Sequence, residues 1–280
     1  MCLDWTPIIN FANSQFVSAL MGALAGAFAG AYAAQRSASR SKRKDEIVAE
    51  IRQTNAAMSV SFTIFNAAIA LKGQHVARLA AELHSGRISA IEFLAKRAAG
   101  EFPPDTPFEF RADLSLLPQV RVPGELLREH VFLKLSVTGR PLSLATVITQ
   151  TAHVLDDSIE KRNSLIAELK EVSAQNRNEV AWRYFGLPTS DGTNSEYPDT
   201  LNAIVRYLDD LIFFSQLLCK DLRGHGLELA AEYKRQFDGV ELRVSEIEFV
   251  DSRTAGLLPR DEEYQDWLTG FPKREEKDRS

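Results

Sequence analysis

The stretch from Phe16 to Ala34, FVSALMGALAGAFAGAYAA, carries no charged residue and is long enough to cross a bilayer as one helix. A hydrocarbon core about 30 Å thick, climbed at about 1.5 Å per residue, needs roughly 20 apolar residues. Within the stretch Gly22, Gly26 and Gly30 recur at every fourth position, and Ser18 extends the series one turn earlier. One helix face is therefore bare of side chains along its length. In lipid, where Leu against Leu gains little over Leu against acyl chain, close packing through small residues is a main driver of helix association. Ser18, Gly22, Gly26 and Gly30 are accordingly the expected oligomerisation surface.

The flanks set an expected topology. Residues 1–15 contain Asp4 and no Lys or Arg, so they lack the basic region of a cleavable signal peptide, and the segment is expected to stay attached. After it come Arg36, Arg40, Lys42, Arg43 and Lys44, with no acid among them. Positive charge beside a span stays on the cytoplasmic side. The N-terminus is then expected outside, and the rest of the chain inside, at a plasma membrane of the bacterial inner-membrane type.

The composition of the whole chain is that of an ordinary folded protein plus one membrane segment, and its net charge of -5 argues against general nucleic-acid binding. The only cysteines, Cys2 and Cys219, have no metal or disulfide spacing. From Asp45 the pattern turns helical, and residues 45–100 read as a helical stalk with a bend at Gly73, a stop at Ser85 and Gly86, and an end at Gly100. Inside the stalk, 53–71 is again free of charge but has a polar stripe of Asn55, Ser59, Thr63 and Asn66. Two readings stay open. In one, this is an amphipathic juxtamembrane helix whose Met58, Phe62, Phe65 and Ile69 face an oligomer or the bilayer surface. In the other it is a second span, which would place the C-terminal domain outside.

Pro103, Pro104 and Pro107 separate the stalk from a domain at 101–271. Alternation of apolar and polar residues over 108–116 and 240–249 predicts two strands, the second with a bulge at Ser245 and Glu246, paired with each other. Between them the spacing predicts helices starting at Pro123, over 142–173, around 179–185, and from Asp199 or Thr200 to Gly224 and Gly226. Residues 272–280 have nothing to bury. The expected fold is mainly α: a transmembrane helix and stalk, then an α-rich (α+β) cytoplasmic domain with a small two-stranded antiparallel element.

Chemistry is sparse. Asp156, Asp157 and Glu160, near His153 on one helix, and Asp209 with Asp210 on another, are the weak metal candidates. The spacing DDSIE resembles half of the acidic motif of helical prenyl-transfer enzymes, which would imply magnesium and a diphosphate, yet a second full motif and the basic residues for a diphosphate are missing. Lys161 and Arg162 nearby fit a solvated helix face. His75, His84, His130 and His225 lack ligand spacing, and the Trp182–Phe185 cluster fits a partner anchor or a core edge. No phosphate loop or nucleophile motif occurs, so no cofactor is expected. The expected role is non-enzymatic: a membrane effector or sensor, of the membrane-perturbing toxin or phage-defence kind, with a protein partner for its cytoplasmic domain. A membrane-tethered enzyme or scaffold, with metal-dependent phosphoester or diphosphate chemistry, is the alternative.

Overall fold

A computed structural model describes residues 15–103, 106–173, 176–189, 192–237, 241–249 and 255–271. The N-terminal residues 1–14, the tail at 272–280 and Val240 lie outside the described residues. Helices make up most of the chain, and long apolar helix α1 opens it. No proline occurs between Pro7 and Pro103, and without that breaker α1 runs unbroken over Gln15–Leu71, 57 residues. The basic residues 35–44 are thus part of the same helix rather than a separate linker.

The bend expected at Gly73 is a single π turn, Lys72–Val76, after which α2 (Ala77–Ala98) continues. A Cβ at Gly73 would lie 2.8 Å from Leu257 Cδ1, so the glycine admits the C-terminal segment. Ser85 and Gly86 do not stop the helix. Ser85 and Ser89 hydroxyls donate back to the carbonyls of Glu82 and Ser85, and Gly86 makes room for Phe185, whose ring would meet a Cβ at 2.6 Å. Gly100, at φ 77°, closes the run as expected.

Among the described residues α3 (Gly124–Leu133), α4 (Arg140–Ser173), α5 (Arg177–Phe185), α6 (Glu196–Gln236) and the short α7 (Gln265–Thr269) follow. Helix α6 passes straight through Gly224 and Gly226, where an end was expected. At Gly226 a Cβ would come 2.9 Å from Val244 and 3.4 Å from Thr54, so that glycine serves close packing rather than termination.

Helices α1 and α6 lie antiparallel over the whole body. Arg43 meets Glu232 at one end, the Ser61 hydroxyl donates to the Ser215 carbonyl midway, and Lys72 meets Asp209 at the other. Helix α4 runs antiparallel to α6, from the Arg140–Asp221 pair to the Arg162–Tyr197 contact. Helix α3 fills the remaining side, with Thr149 donating to the Gly124 carbonyl. The core lies between these helices, and Ile64, Leu127, Leu144, Ile148, Ile204 and Leu208 are all buried in it.

The segment 53–71 is therefore a core helix face. Met58, Phe65 and Ile69 are buried, and Phe62 packs beside them. They are covered by the chain's own α6 and by Phe249, 5.0 Å from the Phe65 ring. The stripe of Ser59, Thr63 and Asn66 faces outward.

Among the described residues neither expected strand forms a ladder; over 108–114 and 241–249 the alternate apolar residues are partly buried as expected, but Leu116 is 58 % exposed and Leu117 is buried in its place. A helix asparagine bonds each segment, and on the first Arg162 also donates to the Ser115 carbonyl and the Tyr184 hydroxyl accepts from the Asp113 N–H. Asn163 donates to the Leu117 carbonyl and accepts from the Leu117 N–H, both at 2.9 Å. Asn55 donates to the Arg243 carbonyl at 3.0 Å and accepts from Ser245 N–H at 2.9 Å. A primary amide offers the donor and acceptor that a neighbouring strand would supply. The two-stranded antiparallel element lies elsewhere, with Pro188–Thr189 paired to Gly192–Thr193.

Candidate functional site

The apolar stretch at the start of α1 is uncovered. Every residue from Ser18 to Glu46 is exposed, and Phe28 is 74 % exposed and Met21 66 %. By length and composition the helix Ser18–Ala98 is long and apolar enough to cross a membrane, and its most apolar stretch is half buried. That stretch is 54–71, where nine of eighteen residues are buried, and no part of it lies in 18–46. Among the described residues, every side chain of the stretch 18–34 is exposed.

Ser18, Gly22, Gly26 and Gly30 fall along one slowly turning face of this exposed helix. A Cβ at Gly22, Gly26 or Gly30 would meet nothing within 4 Å. No described part of the folded chain needs those glycines.

The basic residues divide into two groups. Arg40 donates to the carbonyl of Gln236 at 2.7 Å and lies over the Phe237 ring, while Arg43 forks onto Glu232 at 2.8 and 3.0 Å. Both hold the C-terminal end of α6, where unpaired carbonyls and the helix dipole attract cations. Glu232 in turn raises the Arg43 pKa. Lys42 sits 3.8 Å from Glu46, and Arg36 and Lys44 are exposed. The tether to α6 is invisible in the sequence, because its ends lie 196 and 189 residues apart.

The acidic candidates are not brought together. Asp209 pairs with Lys72 at 2.5 Å, and Asp210 accepts from the Tyr264 hydroxyl at 3.0 Å. Burial raises the Asp210 carboxyl above its ordinary range. Asp157 and Glu160 are exposed. Asp156 is half-buried in a cleft of about 220 Å³ beside Arg121, Glu125 and His153, and its pKa is also raised by burial. Among the described residues, no three His, Cys, Asp or Glu side chains converge as a metal site.

Sequence reasoning missed two polar clusters. Glu50 accepts from the Ser136 N–H and hydroxyl and lies 2.9 Å from His225 Nε2. Burial alone would raise this carboxyl, but those bonds outweigh it and hold it below the usual range. The glutamate sits between serine and histidine, which is not the order of a nucleophilic relay, where the histidine lies between the other two. The second cluster surrounds Arg162, which is fully buried. It donates to the Ser115 carbonyl at 2.9 Å and to the Tyr197 hydroxyl at 3.3 Å. With Asn163 it clamps the extended segment 113–117. Tyr184 and Phe185 are buried beside this clamp, so the Trp182–Phe185 cluster is a core edge.

Asp113 sits on the same segment. The Ser115 hydroxyl, then its N–H and Arg78, lower its pKa to about 2 against an opposing effect of burial. A depressed carboxyl contributes stability that is present above its unfolded pKa near 4 and is lost as pH falls toward 2. Urea titrations of the detergent-solubilised chain are expected to show Asp113→Asn less stable than wild type at pH 7. The gap should close between pH 5 and pH 2, whereas an equal gap at both ends would remove the electrostatic account.

No family model, curated protein or solved structure matches this chain.

Proposed function

We propose that the chain is a single-pass membrane protein, anchored by residues 16–34 and assembled through the face of Ser18, Gly22, Gly26 and Gly30. In this reading it is a non-enzymatic effector or sensor. Its helical body lies on the cytoplasmic side of an inner membrane, held to that side by Arg36, Arg40, Lys42, Arg43 and Lys44, and receives a protein partner. The observation that carries the reading is an apolar helix, exposed on every side, in unbroken helical continuity with the core helix of the body. Such a helix in water would leave its side chains unburied at about 25 cal/mol per Å². A bilayer removes that cost, and a second copy removes what lipid leaves along the glycine face. Clustering of several copies is the step by which the membrane would be perturbed.

The substitution Gly26→Leu tests this cleanly, because the added side chain meets nothing in its own chain. Cross-linking in membranes is expected to give a ladder of oligomers for wild type and monomer for Gly26→Leu, at equal expression. A membrane-potential dye should report depolarisation on induction of wild type and none for the variant. Identical ladders would remove the glycine face, and unchanged potential in wild type would remove the effector role.

A further inference from the structure

We infer that the C-terminal end of α6 is a second membrane-contacting surface, built to meet anionic lipid headgroups. The inference rests on the anchored reading above and adds a surface distant in sequence from the anchor. Arg40 and Arg43 are bonded to Gln236 and Glu232, so the last turn of α6 is pinned beside residues 40–43 of α1. Those residues follow Ala34 by about two helical turns, which places the end of α6 about 9–14 Å beyond the hydrocarbon edge. The headgroup layer is about 5–8 Å deep on each side, and its charge reaches about one Debye length further, 8–10 Å. Lys234 and Arg235, both exposed, lie between the two pinned positions.

The charge balance at this end favours an anionic surface. Glu232 is taken up by Arg43 and Gln236, and Glu46 lies beside Lys42 and Arg43. Arg36, Lys44, Lys234 and Arg235 remain outward, against the exposed acids Asp45 and Glu228, on a chain whose net charge is -5. An end where basic side chains outnumber the acids, next to an uncovered apolar helix, has the polarity needed to sit on anionic lipid. The competing role for Lys234 and Arg235 is purely local: cations in the last turn of α6 offset its dipole.

The test separates these roles. The full chain is reconstituted into phosphatidylcholine vesicles doped with spin-labelled phosphatidylglycerol or phosphatidylcholine, and the motionally restricted lipid is measured by electron paramagnetic resonance. Wild type is expected to restrict the phosphatidylglycerol label preferentially. The double variant Lys234→Gln/Arg235→Gln should lower that preference by a factor on the order of five or more, with the thermal midpoint recorded in parallel. A lower midpoint with unchanged lipid preference would assign the two residues to the helix dipole and overturn the inference while the anchor stands. Absence of any restricted lipid in wild type would overturn the anchored reading itself.

Discussion

The variant Phe28→Arg is expected to leave the membrane fraction. Phe28 lies near the middle of the exposed stretch and is 74 % exposed, so the substitution cannot act through the core. An arginine at a span centre costs about 2.5–3.5 kcal/mol on the insertion scale. That is a shift of roughly a hundredfold in the insertion equilibrium. The native segment has little margin to absorb it, since much of it is Ala and Gly, with Leu20, Met21, Leu24 and Phe28 as its larger described apolar side chains. Alkaline extraction followed by sedimentation should find wild type in the pellet and Phe28→Arg mainly in the supernatant or aggregated. Equal retention of the two would mean that α1 is held at the membrane by something other than lipid immersion of this stretch.

The second large effect concerns 53–71 and distinguishes a core helix from a span. Ile64 is fully buried, so Ile64→Ala removes packed methylene groups and leaves a cavity, at about 2–5 kcal/mol. For a body of this size roughly 2–4 °C are lost per kcal/mol, giving a fall in midpoint on the order of 10 °C. Asn66, two residues on, faces outward, and Asn66→Lys should stay within about 0.5 kcal/mol of wild type. Lipid on all sides of this segment would reverse the order: the lysine would cost about 3 kcal/mol and the Ile64 truncation little. Thermal melts of the two variants in the same detergent decide between these outcomes.

How far the sequence alone leads depends on which residues are read. The helices over 142–173 and 179–185 are legible because their apolar spacing and the polar loops around them agree. Glycines mislead. Gly86, Gly224 and Gly226 look like terminators, yet two of them exist to admit Phe185 and Val244, and only the packed partner reveals that. Alternation gives the side-chain faces over 108–114 and 241–249 but fails at Leu116, which is exposed while Leu117 is buried. It says nothing about where the backbone bonds go, and Asn163 and Asn55 take some of them. The apolar face of 53–71 reads equally well as lipid-facing or core-facing, since periodicity records that a face is buried but not by what. Of the candidate site, the glycine series is visible because it is local. The tether of Arg40 and Arg43 to α6, the Glu50 cluster and the Arg162 clamp each join residues far apart in the chain, and no spacing rule reaches across that separation.

The central claim, that 16–34 lies in lipid while the helix emerges into water at its basic turn, is tested most directly by cysteine accessibility in intact membranes. Single cysteines are placed at Ala25, Phe28, Ser39 and Ser41 in a background lacking Cys2 and Cys219 and exposed to a water-only maleimide from each side. Ala25→Cys and Phe28→Cys are expected to stay unlabelled until detergent is added, and Ser39→Cys and Ser41→Cys to react from the cytoplasmic side alone. Labelling of Ala25→Cys at the rate of Ser41→Cys would contradict the account.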